Sequence, residues 1–257
     1  MGRGSRLACL WFTGPSKESL VNAPLNPQNP DSPASRTLYH CVGARSFRPL
    51  WALEELGLPY ALVVLPFPPR VHARAFKQEN PLGTIPLYVE GTLRITESAA
   101  ITQYLAEKPG AEADLSLAVG KDEPAFGEYL NYLHFGEATL TFPQTLVLRY
   151  GKLEPEARRQ PQVVKDYADW FLARLRVLES RMAQAHFICA GRFTAADISV
   201  SYALHLATQL GLHAGMTPAV AAYFERMRNR PGFQAALRAE RAGAISAGID
   251  PEPPAAS

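Results

Sequence analysis

The chain has 257 residues, 47% of them hydrophobic, three cysteines and a formal net charge of +2, which together predict a globular protein of two domains or one large one. So small a charge does not indicate nucleic-acid binding, and no apolar stretch approaches the roughly eighteen residues of a membrane span, so neither kind of partner is expected. An odd, low cysteine count without a CxxC pair or metal-ligand spacing argues against disulfides and against a metal site, and is typical of the cytoplasm.

Both ends of the chain differ in composition from the middle. Residues 1–36 contain five prolines, show no helical or strand period, and hold one short apolar run, residues 7–12, that is too short for a secretory signal. We therefore predict a disordered extension at 1–36 whose deletion changes neither folding nor ligand affinity. Residues 242–257, which end in Pro-Glu-Pro-Pro-Ala-Ala-Ser, are predicted to be a disordered tail.

Short strand and helix patterns alternate between residues 37 and 108. The predicted elements are, in order, strand 37–40, helix 46–56 closed by Gly57, strand 59–65, helix 71–79, two strands joined by a turn at Glu90-Gly91, and a helix from Glu97 to about residue 108. The order β-α-β-α-β-β-α is that of a thioredoxin-like domain, which we predict for residues 37–108.

After a predicted linker at 109–121, the pattern is helical. The predicted helices are 123–150, 161–185, 194–210, 218–230 and 232–241. Pro143 should kink the first of them, and the sequence from Thr194 to Asp197 has the form of a capping box. The fold class is therefore an α/β domain followed by an all-helical domain at residues 122–241.

Two short motifs lie in the strand–turn–strand–helix part of the first domain. In Thr84-Ile85-Pro86, a cis bond before Pro86 would turn the backbone N–H and C=O of Ile85 outward, where they can pair with an extended peptide. In Glu97-Ser98, the start of a helix and a hydroxyl suit a carboxylate, and Glu97 suits an ammonium. Each motif alone is typical of a loop end or a helix cap. Together, at this spacing, they predict a site for a peptide with a free amino-acid end.

These motifs and the segment from Trp51 to Tyr60, WALEELGLPY, resemble the cytosolic glutathione transferases of bacteria over roughly residues 36–240. The resemblance implies a thioredoxin-like domain that binds glutathione as co-substrate without a metal, and a helical domain that binds a small hydrophobic electrophile. The residues that it assigns to glutathione are Thr84, Ile85, Pro86, Glu97, Ser98 and Arg70, with His72 or Arg74 as alternatives to Arg70. It also implies a homodimer, with Tyr104, Phe126 and Tyr129 as candidate interface aromatics.

The resemblance also directs attention to the start of the first helix, where members of the family stabilise the glutathione thiolate. A hydroxyl donor or a positive charge near a helix N-terminus can lower a thiol pKa. Where classes of the family place a Tyr, Ser or Cys, this chain has Ala44 and Arg45, followed by Ser46. We expect Ser46 to donate to the thiol, with Arg45 as the alternative or as a second contributor. Ser46 as a plain helix cap is the other interpretation, and Cys41 is a further candidate.

The expected electrophile pocket lies between the domains, lined by Phe47 and by a second-domain segment that includes Glu137 and Thr139. The predicted function is transfer of glutathione to small hydrophobic electrophiles. Two alternatives stay open. Residues 43–49 are also similar to bacterial β-etherases, so the chain could be a specialised glutathione-dependent lyase or dehalogenase. The residues at 44 and 45 would also suit a glutathione-fold binding protein that has lost its chemistry.

Overall fold

The computed structural model describes residues 35–108 and 115–253. The first domain consists of β1 (Arg36–His40), α1 (Phe47–Leu56), β2 (Ala61–Val64), α2 (Pro69–His72), a 3-10 turn (Arg74–Gln78), β3 (Leu87–Glu90), β4 (Leu93–Ile95) and α3 (Ser98–Ala106). The strands form one mixed sheet in the order β2-β1-β3-β4, in which β1 is parallel to β2 and antiparallel to β3. This is the thioredoxin-like topology that the sequence predicts.

Several boundaries in the first domain differ from the prediction. β1 already includes Arg36, which the sequence places in the extension. The hairpin turn is formed by Gly91 and Thr92, one residue later than predicted, because Glu90 still pairs with Leu93. The predicted helix 71–79 is divided into a short α-helix and a 3-10 turn. α1 begins only after Ser46, which occupies the N-cap position.

The second domain is helical, as predicted. Its α-helices are α4 (Phe126–His134), α5 (Phe142–Leu148), α6 (Pro161–Gln184), α7 (Ala195–Gln209), α8 (Pro218–Arg228) and α9 (Pro231–Ser246), with 3-10 turns at Glu156–Arg158 and His213–Gly215. Because α9 continues to Ser246, the prediction of a disordered tail from residue 242 is wrong for residues 242–246. The predicted extension up to residue 34, residues 109–114 of the linker and residues 254–257 lie outside the described residues.

The predicted helix 123–150 is more irregular than one kink at Pro143 would make it. A π-helical segment, Phe135–Thr141, separates α4 from α5, and a second, Arg149–Leu153, follows α5. Pro143 has no N–H to donate to the preceding turn, which loosens the helix on its N-terminal side. In the first π segment the Thr141 hydroxyl donates to the carbonyl of Gly136 at 2.7 Å. This irregular stretch faces the first domain and shapes the site.

α7 is the central helix of the structure. Its start has the predicted capping box between Thr194 and Asp197. The π segment crosses α7 so closely that a Cβ added at Gly136 would lie 2.4 Å from the Ser199 hydroxyl, so the crossing requires glycine there. α1 packs against α3, α7 and α9, and one apolar core therefore runs through both domains. Among the described residues, no helix combines the length and apolar character needed to cross a membrane.

Candidate active site between the two domains

A cleft of about 580 Å³ lies between the two domains. The first domain lines it with the turn at residues 43–45, which leads into α1, and with parts of the loops at 67–71 and 83–85. The second domain lines it with the end of α5, the π segment that follows, and two residues of α7, Tyr202 and Leu206. Both the start of α1 and the loop before β3 therefore open into the same space.

Four of the residues predicted from sequence line this cleft: Arg45, Arg70, Thr84 and Ile85. The Ile85–Pro86 peptide bond is cis, as expected. Pro86 itself is buried below the loop.

The second motif lies at the start of α3 and connects to a residue that the sequence analysis did not single out. Ser98 is buried, and its hydroxyl oxygen accepts a hydrogen bond from Arg48 Nη1 at 3.1 Å. Arg48 is fully buried on α1, and its Nη2 donates to the Thr141 hydroxyl at 2.6 Å and to the Gly136 carbonyl at 3.2 Å. A single charge on the apolar side of an amphipathic helix was the signal that could have identified Arg48.

Glu137 connects Arg48 to the cleft. Its two carboxylate oxygens accept from Arg45 Nε and from Arg48 Nη1, each at 2.6 Å. Burial opposes ionisation of Glu137, but the two guanidinium groups outweigh it and lower its pKa. Burial likewise opposes the charge of Arg45, and the Glu137 carboxylate outweighs it and raises the pKa of Arg45. One carboxylate between two guanidinium groups leaves the cluster with a net charge of +1.

Arg45 is the charged group of this cluster that reaches the cleft. Its Nη2 also donates to the Thr145 hydroxyl at 2.8 Å, and its side chain remains 32% exposed. Glu97, an exposed residue at the N-cap of α3, lies near enough to favour the Arg45 charge. Behind Arg45, the Arg48 guanidinium stacks over the Tyr202 ring, 4.2 Å from its centroid. The site therefore presents a fixed positive charge at the start of α1.

Ser46 and Cys41 do not reach the cleft. Because α1 begins at Phe47, Ser46 turns inward, is fully buried, and its hydroxyl accepts the N–H of Cys41 at 3.3 Å. It caps no N–H of the helix. Cys41 is also fully buried, and burial, reinforced by the Glu240 charge, raises the pKa of its thiol to about 12. These two side chains support the turn between β1 and α1 from within.

The three residues expected to form the electrophile pocket do not line the cleft. Phe47 is fully buried in the core against Trp51 and Phe233, because it occupies the inward face of the first turn of α1. Thr139 lies in a separate shallow surface pocket beside α4. Glu137 lies behind Arg45, as its partner, and does not line the cleft.

An apolar recess adjoins the cleft next to the turn at residues 43–45. Its apolar residues are Val42, Ala44, Phe67, Leu148, Leu153, Leu206, Leu210 and Pro253. Phe67 and Leu153 stand at its rim with 39% and 43% of their surface exposed, which is much for large apolar side chains. Sequence reasoning missed this wall, because Leu148 fell in the predicted helix 123–150 and Leu153 beyond its end, and the π segment that brings both to the recess was not predicted.

The described residues hold no group of three or more His, Cys, Asp or Glu side chains arranged to bind a metal ion. The site combines a cationic helix start, a loop with a cis proline and an apolar recess in a thioredoxin-like fold.

Comparison with known proteins identifies the family. The models of the glutathione S-transferase N-terminal and C-terminal domains match residues 34–107 and 161–226. The chain is 29% identical over 211 residues to glutathione S-transferase GstA of Escherichia coli O157:H7, covering 79% of this chain and 98% of that one. The crystal structure of the glutathione transferase Ure2p5 from Phanerochaete chrysosporium superposes with a TM-score of 0.70 at 26% identity, covering 82% of this chain and 96% of that one. Ure2p5 has also been cocrystallised with 1-(S-glutathionyl)-2,4-dinitrobenzene, and that structure matches with a TM-score of 0.69 at 25% identity, again over 82% of this chain and 96% of that one. The chain belongs to the cytosolic glutathione transferase superfamily.

Proposed function

We propose that this protein is a glutathione transferase whose interdomain cleft binds glutathione and presents its thiolate to a small hydrophobic electrophile. The observation that carries the proposal is that Ile85, Arg70 and the turn at residues 43–45 line one cleft, with an apolar recess beside them. An extended tripeptide can pair with the backbone of Ile85 while its ends reach opposite sides of the cleft.

Each end of glutathione meets groups of suitable charge. The γ-glutamyl carboxylate binds at the start of α3, where Ser98 accepts from Arg48 and so keeps its own O–H free to donate. The γ-glutamyl ammonium binds the exposed carboxylate of Glu97. The glycine carboxylate binds Arg70, an exposed cleft residue on α2.

Arg45 and the N-terminal end of α1 stabilise the thiolate. An ordinary thiol has a pKa of about 8.5, so only a few per cent of it is ionised at neutral pH. A guanidinium that stays charged through its pair with Glu137, placed beside the sulfur, favours the thiolate. Ser46, the donor expected from sequence, acts in this proposal only through the turn, since its hydroxyl is buried against Cys41.

The reaction is a nucleophilic displacement. The thiolate sulfur forms a C–S bond to the electrophilic carbon, and the leaving group departs with the electron pair of its bond to that carbon. The apolar body of the electrophile lies in the recess, against Leu148, Leu153 and Leu206. Desolvation of the reactants in such a recess strengthens the interaction of Arg45 with sulfur.

The assembly and location that we propose are those of the family: a homodimer in the cytoplasm. The interface would use the exposed face of α4, which carries a shallow surface pocket around Leu130 and Phe135, and the half-buried Phe126 and Tyr104. Tyr129, the third aromatic residue expected there, is fully buried and belongs to the core. Sedimentation at micromolar concentration tests the dimer, and a monomer-sized species alone would contradict it.

The function is tested by titrating the purified protein with glutathione in a calorimeter and by recording the ultraviolet absorbance of the bound thiolate as a function of pH. An activity panel of an aryl chloride, a β-aryl ether and a hydroperoxide then identifies the reaction. We expect binding, a bound thiol pKa below its free value, and turnover of the aryl chloride. Absence of glutathione binding at millimolar concentration would overturn the proposal. Turnover of the β-aryl ether alone would favour the lyase alternative.

A further inference from the structure

The turn at residues 43–45 is held in place by the second domain. Gly43 has a left-handed backbone with φ of 68°, and both polar groups of its backbone bind second-domain side chains. Its N–H donates to Glu240 Oε2 at 2.9 Å, and its carbonyl accepts from the Tyr202 hydroxyl at 3.3 Å. Burial raises the pKa of Tyr202 to about 12, so this hydroxyl stays a donor.

Glu240 is a buried carboxylate that the proposed reaction does not use. It lies on α9 with only 6% of its surface exposed, and the oxygen that binds Gly43 also lies 2.7 Å from His40 Nε2. The charge of Glu240 also acts on the titration of Cys41, which directly follows β1, and of Tyr202 and His205 on α7. Burying a carboxylate costs free energy. Both hydrogen-bond partners of Glu240, His40 and the Gly43 N–H, lie in the segment between β1 and α1 or at its edge.

We propose that Glu240 is a positioning residue for the thiol site, which it fixes by accepting the N–H of Gly43 and so holding the turn at residues 43–45 against the cleft. The inference rests on the proposed function, because it takes this turn to be the place where the glutathione thiolate binds.

The second domain packs closely against Gly43. A Cβ built at Gly43 would lie 2.8 Å from Gln209 Oε1 and 3.0 Å from Pro253 Cβ. Without the carboxylate, the Gly43 peptide must rotate to find another acceptor. Ala44 and Arg45, the next two residues, then change their position relative to the sulfur. A displacement of about 1 Å at a reacting group can cost about a hundredfold in rate.

Two substitutions separate the hydrogen bond from the charge. Glu240→Gln and Glu240→Leu remove the same negative charge, but only Gln retains an oxygen that can accept the Gly43 N–H. Any direct effect of the charge on the thiol is therefore common to both variants. Glu225→Gln, an exposed change of the same kind on α8, is the matched control. The measurements are the pKa of bound glutathione from thiolate absorbance, kcat with 1-chloro-2,4-dinitrobenzene, and the glutathione Kd.

For Glu240→Leu we expect the pKa of the bound thiol to rise by about one unit and kcat below that pKa to fall about tenfold. The glutathione Kd, measured at a pH below the pKa of the bound thiol, should change by less than about twofold, because the two carboxylates of the peptide bind elsewhere. Glu240→Gln should stay within about threefold of the unsubstituted protein in kcat. Tyr202→Phe, which removes the hydrogen bond to the Gly43 carbonyl, should shift the thiol pKa in the same direction as Glu240→Leu does.

An equal loss of kcat in Glu240→Gln and Glu240→Leu would assign the effect to charge and overturn the inference. An unchanged thiol pKa in both variants would also overturn it, as would a loss of kcat in Glu240→Leu that matches the loss of folded protein. If the unsubstituted protein binds no glutathione, or binds it without ionising the thiol, the proposed function itself fails. Failure of the positioning role alone is recognised by normal thiol ionisation in all of the variants.

Discussion

Replacing Arg45 by Met tests which side chain activates sulfur. The substitution removes the guanidinium that faces the cleft and changes the net charge of the cluster with Glu137 and Arg48 from +1 to zero. One charge-assisted hydrogen bond to an anion contributes about 1.5–3 kcal/mol, which corresponds to a rate loss of roughly 10- to 150-fold. Without this guanidinium, the thiolate of bound glutathione is less stabilised. The pKa of the bound thiol therefore rises toward that of free glutathione. The loss of rate should therefore be largest at low pH and should shrink as the pH rises through the new pKa.

The assay is the pH dependence of kcat/KM for an aryl chloride, measured together with thiolate absorbance. Arg45→Lys retains the charge but cannot make both contacts to Glu137 and Thr145, so it should recover part of the rate. Ser46→Ala tests the alternative donor, and because Ser46 acts only through the turn, its pH profile should shift less than that of Arg45→Met. A shifted profile in Ser46→Ala with an unshifted one in Arg45→Met would refute the reasoning and return the role to the serine hydroxyl.

Three further predictions concern the recess, the core and the N-terminal segment. Leu153→Ser places a hydroxyl at the rim of the apolar recess, so the KM for a neutral aryl chloride should rise several-fold while the glutathione Kd stays unchanged in calorimetry. Burial raises the pKa of Asp197 from 3.8 to about 6, so the folded state binds this proton more tightly than the unfolded state. Stability should fall by up to about 3 kcal/mol as the pH rises from about 4 through 6, and Asp197→Asn should abolish that part of the pH dependence in urea unfolding. Deletion of residues 1–34 should leave the melting temperature in calorimetry unchanged, and a fall of more than a few degrees would show that this segment packs on the fold.

The topology and the cis bond before Pro86 were predictable because they depend on local patterns. Alternating strand and helix periods predict the order of the first domain, and the capping box at Thr194 and Asp197 predicts the start of α7. The cis bond before Pro86 was predicted from the three residues Thr84-Ile85-Pro86, which lie between a turn and a strand. Each of these features is specified by residues that are neighbours in the chain.

The side chain that faces the cleft at the start of α1 was harder to predict, because a shift of the helix start by one residue changes which side chain points there. With α1 beginning at Phe47, Arg45 points into the cleft and Ser46 points into the turn. The sequence is equally compatible with a helix that starts at Ser46, since serine is a preferred N-cap residue as well as a possible thiol donor. The packing of Phe47 against His205 and Phe233 of the second domain supports this phase.

The dependence on the second domain explains why motif reasoning stops short of the thiol site. Two side chains hold Gly43 in place. They belong to Tyr202 and Glu240, which lie 159 and 197 residues further along the chain. Contacts at such separation leave no local signature around residue 43. The motifs read from the sequence thus lie within the first domain, whereas the turn at residues 43–45 is bound by side chains of helices α7 and α9. Substitutions in those helices should therefore alter thiol ionisation more than glutathione affinity, and the comparison of Glu240→Gln with Glu240→Leu measures that separation directly.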